Sequence, residues 1–387
     1  MKYFFLLTLA FVLSNYSFGQ TNLPIVKSTS KTVKIIENKE HITDWNLDSS
    51  LKFDTYITGK NAGNRNVKML TDIDSVEVNL KPNEEFDFVV LLNKTDSCFT
   101  KFKSLETKNF SKINPPQTTI IPIILSKDNN IETSAILNKK DSMKLLFDSG
   151  ATGFYLKKTA IKKFLNPENK PLTMKDISDN HFQLGNLEWN HEQIYPLETT
   201  GDCCEGMYGW DSFDGKIVTI DYDKNKMTVS TKKAKVEPEY ERFEMELMKE
   251  HFCIQLELEI DDKRYKSRFL FDTGFQKTLM LDHDLMNNLN APIADLPLLK
   301  KSVMYNSRKE EIPVNIYSTP KLVFGKYILE NVPVQLNSTT KPAGYLTNLV
   351  GNEVLKRFNV ILDFQENVVY LKPNHLFYAD YIDLKKS

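Results

Sequence analysis

The sequence predicts a mainly-β protein: an N-terminal β-sandwich-like module, then two homologous β lobes that pack as a pseudo-dimer. Three observations lead there. Residues 33–102 alternate short apolar-polar runs with turn residues. From residue 118 onward the chain repeats itself, strand pattern for strand pattern. Helix-like segments are brief, one in each copy, at 156–165 and 281–289.

Taken in chain order, the first element is Lys2 followed by an apolar run from Tyr3 to Leu13, then polar residues ending in Ser17 and Gly19. That order of charge, apolar core and small residues is a secretory signal peptide, spanning 1–19 and cut before Gln20. Eleven apolar residues are too few to span a bilayer. The chain is therefore expected to be exported, to the periplasm or beyond. No cysteine follows the run to carry a lipid, and no later stretch is long enough for a transmembrane helix.

Residues 20–107 form the module. Its runs include VKIIE, SVEVNL and EFDFVVLL; Val76, Val78 and Leu80 share one face at period two, and KPNEE and NKTDS are turn chemistry. The pattern predicts a small antiparallel sandwich, and no motif in it carries chemistry, so an accessory or docking role is the plain reading. Residues 108–117, with Pro115 and Pro116 together, read as a linker. Lobe 1 spans 118–230, a solvated connector of interleaved charges 231–250, lobe 2 251–373, and a tail 374–387.

The length of 387 residues, with 41% hydrophobic and 11% aromatic residues, supports two or three cores of this kind. Lys and Arg number 50 against 51 Asp and Glu, a net charge of −1, so nothing global points to nucleic acid or an anionic membrane. Cys98, Cys203, Cys204 and Cys253 lack the spaced pairs of a zinc site and read as structural, disulfide-bonded or free.

The repeat is specific. Gly209 and Gly351, Ile220 and Leu362, Asp221 and Asp363, and Asn225 and Asn367 each stand 142 apart, while the Asp-x-Gly triplets stand 272 − 148 = 124 apart. The second copy thus carries a longer middle. Of only 14 glycines, three pairs fall at matching stations: Gly150 with Gly274, Gly185 with Gly325, Gly209 with Gly351. A scarce residue used twice in this way signals a backbone demand.

A single Asp-Ser-Gly at a strand end is ordinarily a turn. Two of them, at the ends of apolar strands in related lobes, can instead bring two carboxylates together across a pseudo-two-fold axis. Two such groups cannot both ionise cheaply, so the pair holds one proton and serves as acid and base at once.

These residues resemble the aspartic peptidases of the retropepsin and pepsin type. The family motif, two apolar residues then Asp-(Ser/Thr)-Gly, matches Leu146-Phe147-Asp148-Ser149-Gly150 and Leu270-Phe271-Asp272-Thr273-Gly274. Its later apolar-apolar-Gly turn matches Met207-Tyr208-Gly209 and Leu349-Val350-Gly351, and the likeness covers about 118–373. The resemblance implies two acid-protease-type lobes in a monomer and a peptide or protein substrate. It implies that Asp148 and Asp272 activate the attacking water and protonate the scissile amide, with no metal or organic cofactor. Ser149 and Thr273 would hydrogen-bond the backbone of the opposite lobe, and Gly150 and Gly274 would admit the main chain to the carboxylates. Phe275-Gln276 after the second glycine and the large Tyr208 depart from the family pattern, and the two stretches where a flap would stand, 172–182 and 302–317, contain no glycine.

Two other functions are compatible with the sequence: a catalytically silent peptide-binding protein on the same fold, and a docking or adhesion protein acting through its N-terminal module. The stretch GWDSFDGK at 209–216 lacks the spacing of a phosphate loop, and neither G-x-S-x-G nor H-E-x-x-H occurs. His181 and His191 read as surface residues, and Asp282 and Asp284 as the start of a helix.

Overall fold

The computed structural model describes residues 23–58, 64–105, 108–166, 170, 173–200, 203–248, 250–305, 311–337, 343 and 345–384. The expected signal segment lies outside them. The described chain is mainly β, built from several sheets.

The N-terminal module is two four-stranded sheets. One runs in the order Ile25–Ser28, Glu85–Leu92, Asp96–Lys103, Asp54–Ile57; the other runs Glu40–Asn46, Thr32–Glu37, Arg65–Leu70, Ser75–Leu80. Alternate residues point inward, so Val33, Ile35, Val67 and Met69 share a core with Val26, Phe88, Val90 and Phe102. The expected all-antiparallel sandwich is corrected at both edges of the first sheet. Ile25–Ser28 runs parallel to Glu85–Leu92, and Asp54–Ile57 parallel to Asp96–Lys103. Neither edge strand is joined to its partner by a hairpin, so turn chemistry did not set its direction. The 108–117 segment carries no strand and lies along the first copy, with Phe110 N donating to the Gly215 carbonyl at 3.0 Å.

Both copies of the repeat build an eight-stranded sheet around one motif. In the first, Asp141–Asp148 runs parallel to Gly206–Gly209, setting Asp148 opposite Gly209. In the second, Lys263–Asp272 runs parallel to Asn348–Gly351, setting Asp272 opposite Gly351. The strand after each Asp turn, Phe154–Lys157 or Leu279–Asp282, then pairs antiparallel with the glycine strand. The helix-like segments form helices Lys158–Phe164 and His283–Asn288, the latter capped by Asp282, whose carboxylate accepts from Leu285 N at 2.9 Å. Gly185 and Gly325 occupy matching hairpin turns at φ +60° and +57°, where a side chain would be strained. The longer middle of the second copy is a hairpin arm, Leu298–Tyr305 against Glu311–Phe324, standing where the first copy has helix Met174–Ser178.

The copies meet in a six-stranded sheet ordered Glu241–Glu244, Val368–Pro373, Phe358–Asp363, Ile217–Asp221, Lys226–Ser230, Thr118–Pro122. At its centre Ile217 pairs with Asp363 and Ile220 with Val360, antiparallel. Each copy thus contributes the same hairpin and each edge is closed by one further strand. One apolar core continues through both copies.

Two segments are more structured than the sequence predicted. Glu241–Glu244 belongs to the stretch read as a solvated connector, yet it is an edge strand on Val368–Pro373 with Phe243 packed on the core. Its charged residues suit an edge, where they also discourage further pairing. The tail from 374 is no free end. Phe377 and Tyr381 are buried, and the Arg357 guanidinium, 1% exposed, donates to the carbonyls of Leu376 and Phe377 at 3.3 and 3.2 Å and stacks over Tyr381 at 4.0 Å. Among the described residues no helix is long and apolar enough to cross a membrane.

Candidate functional site

Each Asp turn begins where a buried strand ends. Leu145, Leu146 and Phe147 are buried, as are Phe269, Leu270 and Phe271, so the next residue leaves the core with its backbone already fixed. Ser149 and Thr273 are 0% and 1% exposed and bond reciprocally. Ser149 Oγ donates to the Phe271 carbonyl at 2.7 Å and accepts from Thr273 N at 3.0 Å. Thr273 Oγ1 donates to the Phe147 carbonyl at 3.0 Å and accepts from Ser149 N at 2.9 Å. Four buried polar groups are satisfied by four bonds that all cross between the copies.

That lock brings Asp148 and Asp272 together, and their carboxyl groups hydrogen-bond one another. Asp148 Oδ1 also accepts from Gly150 N at 2.8 Å, and Asp272 Oδ1 from Gly274 N at 2.9 Å and Phe275 N at 2.8 Å. The glycines are required by the opposite chain. A Cβ on Gly150 would lie 2.6 Å from the Asp272 carboxyl carbon, and one on Gly274 2.3 Å from that of Asp148. Both aspartates keep some accessible surface but are closely enclosed. Burial pushes the Asp148 carboxyl above the ordinary carboxylate range against the pull of the Gly150 amide. Burial, and then the charge of Asp148, holds Asp272 well above it. The pair titrates as a unit, with the shared proton favoured on Asp272.

The residues that depart from the family pattern are accommodated. The backbone of Phe275 supplies an amide to Asp272, while its ring packs against Ile42, Met280, Tyr345 and Leu349. Tyr208 is wholly buried beside Phe147 and Phe213, its hydroxyl accepting from Thr133 Oγ1 at 3.3 Å. Thr152, three residues past Ser149, turns its hydroxyl to Glu250 at 3.4 Å rather than to Asp148. Of the two flap stretches, the second forms the arms of the hairpin, with Met304 beside the Phe275 cluster; its tip, 306–310, lies outside the described residues. All four cysteines are free: Cys98 and Cys253 are in separate cores, Cys203 and Cys204 side by side. His181 pairs with Glu188 at 3.3 Å and exposed His191 with Asp179 at 2.7 Å, on the surface of the first copy.

Sequence reasoning missed a buried polar bridge next to Asp272. The Asn129 amide donates to the Gln276 carbonyl at 2.8 Å and to Glu353, and Asn352 donates to the Asn129 carbonyl at 2.5 Å and accepts from Tyr222 Oη at 2.8 Å. In the sequence Asn129 is one of several turn asparagines; only its burial singles it out. Also missed was the contact of the N-terminal module with the second copy, where Ile42 is buried beside Phe275 and Arg65 donates to the Leu247 carbonyl at 3.3 Å.

The chain matches no protein-family model and no curated protein.

Proposed function

We propose that the chain is an exported aspartic peptidase whose two copies form an intramolecular pseudo-dimer of acid-protease type and cleave peptide bonds with the Asp148/Asp272 pair. The observation that carries this reading is the four-bond lock of Ser149 and Thr273, which holds two carboxyl groups in mutual hydrogen bonding at an accessible position. Ionised Asp148 takes a proton from a water as its oxygen attacks the scissile carbonyl, and protonated Asp272 gives its proton to the carbonyl oxygen. The tetrahedral intermediate then collapses: the amide nitrogen receives a proton from the pair, the C–N bond breaks, and a carboxylic acid and an amine leave. Water is the only co-reactant. The pair works when it holds a single proton, so activity falls at low pH as it takes a second and at high pH as the shared proton is lost.

Two rivals draw on other observations. Ala151 and the Phe275 side chain give the carboxylates no donor, which suits a silent peptide-binding protein on the same fold. The buried Ile42 contact suits a docking role for the N-terminal module. Cleavage of a mixed peptide library by the purified chain, across acidic to neutral pH, separates the three. The peptidase reading expects cleavage that is lost in both Asp148→Asn and Asp272→Asn. Peptide binding without cleavage supports the silent reading, and equal activity in all three proteins refutes the mechanism.

A further inference from the structure

Outside the aspartate pair, a second group of ionisable side chains has no part in the proposed reaction. Glu132 lies in Ile131–Leu137 and the adjacent Cys203 and Cys204 lead into Gly206–Gly209; these strands flank Asp141–Asp148 on its two sides. The fold thereby gathers one carboxylate and two thiols, with their ligand atoms all within 4.8 Å of one another. Glu132 and Cys204 are 8% and 2% exposed and Cys203 is half-buried. Three bonds hold the group. Thr200 Oγ1 donates to the Cys204 carbonyl at 2.7 Å, the Cys203 thiol to the Thr200 carbonyl at 3.7 Å, and the Asn130 amide to Cys203 Sγ at 3.5 Å. A cavity of about 230 Å³, lined by Lys157, Ala160, Lys163 and both cysteines, gives access from solvent.

We propose that Glu132, Cys203 and Cys204 form a binding site for a thiophilic divalent cation, with zinc the natural candidate. The spacing rule that set the cysteines aside assumes that ligands arrive in sequence-spaced pairs; here the third comes from another strand. Two sulfurs and one carboxylate match a borderline-soft ion, whereas calcium or magnesium would gain a single oxygen and face Lys157 and Lys163. With Zn–S near 2.3 Å, tetrahedral ligands sit about 3.8 Å apart, so rotamer changes of under about 1 Å close the set. The crowding also asks for a cation. The only printed counter-charge on Glu132 is Lys144 at 3.4 Å, itself 56% exposed and so screened by water. The Asn130 amide favours thiolate at Cys203, while burial and the neighbouring sulfur oppose a second thiolate at Cys204. On binding, each coordinating thiol releases its proton to solvent and the ion takes up the charge. Three protein ligands leave a fourth position for water or an external ligand.

The test uses the mature full-length chain, stripped of metal, kept reduced with a phosphine and titrated with Cd²⁺ as the probe. One equivalent should bind with an ultraviolet sulfur-to-cadmium charge-transfer band, and Zn²⁺ should displace it. Cys203→Ser should abolish the band, Glu132→Gln should weaken binding by about tenfold or more, and Cys98→Ser/Cys253→Ser should leave both intact. Cys203 is half-buried, so its variant is the one most certain to fold; circular dichroism verifies this. Asp148→Asn should bind Cd²⁺ as the parent does, which separates this site from the peptidase reading. The proposal is overturned by a fully reduced chain that gives no band, by a band that survives Cys203→Ser, or by full affinity in Glu132→Gln.

Discussion

The two Asp-Gly turns share a backbone and differ in everything beyond it. In the first, the Ala151 carbonyl accepts from Trp210 N at 3.2 Å and Asp211 Oδ1 caps Gly153 N at 2.8 Å. In the second, the Phe275 carbonyl accepts from Asn352 N at 2.7 Å. Trp210 and Asn352 stand 352 − 210 = 142 apart, as do Asp211 and Glu353. At these matched stations the first copy uses Trp210, whose Nε1 reaches the Glu250 carbonyl at 2.9 Å, and an Asp that serves its own loop. The second uses Asn352 and Glu353, which reach Asn129, Lys356 at 3.0 Å and the amide of Ile382 at 3.2 Å. What is duplicated is the demand on the main chain; the side chains around it have been fitted to different neighbours, the tail and the N-terminal module on one side only.

If the shared part carries the chemistry, disturbing it should dominate every other change. Asp148→Asn and Asp272→Asn should each lower kcat for peptide cleavage by about 10²–10⁴-fold, with KM little changed. Gly274→Ala comes next: its Cβ forces the carboxyls apart, and a misplacement of about 1 Å is enough for about a 10²-fold loss. Gly150→Ala should do the same, so unequal losses would show that the two turns are not equivalent. Thr273→Val and Ser149→Ala should each cost about 1–3 kcal/mol in urea unfolding, because each leaves buried partners unsatisfied.

The unshared part should behave differently. Phe275→Ala makes the second turn read as the first does, and should lower stability by about 1–3 kcal/mol through the Ile42 cluster while cleavage persists. Loss of cleavage at unchanged stability would place Phe275 in the chemistry. The smallest effect is a pH signature. Because the folded state raises the Asp272 pKa, it binds that proton more tightly than the unfolded chain, and ionisation erodes stability as pH rises above the unfolded value. Asp272→Asn should therefore raise the melting temperature by a few degrees at neutral pH, with the gain vanishing in acid below the ordinary Asp range.

How far the sequence spoke depended on whether a feature was backbone-borne. The matched glycines marked hairpin turns and a close approach, and the Asn225 and Asn367 pair proved to be positive-φ residues at 49° and 55° in equivalent hairpins. The Asp strands and the helices after them were legible because apolar runs and caps are local. Glu241–Glu244 was not, since four residues at a sheet edge carry too short an alternation among charges. Nor was the tail, whose burial depends on Arg357 reaching carbonyls some twenty residues away. Ile42, Asn129 and the Glu132–Cys203–Cys204 group were invisible for one reason: each acquires its meaning from a partner that only the tertiary fold supplies.

The central claim is that Asp148 and Asp272 share one proton. Carbon-13 NMR of the aspartate carboxyl carbons, titrated in the parent chain and in Asp148→Asn, tests it directly. The account predicts that Asp272 titrates well above ordinary aspartates in the parent chain and moves down when the Asp148 charge is removed. Two independent titrations in the ordinary range, with Asp272 unmoved by Asp148→Asn, would contradict it.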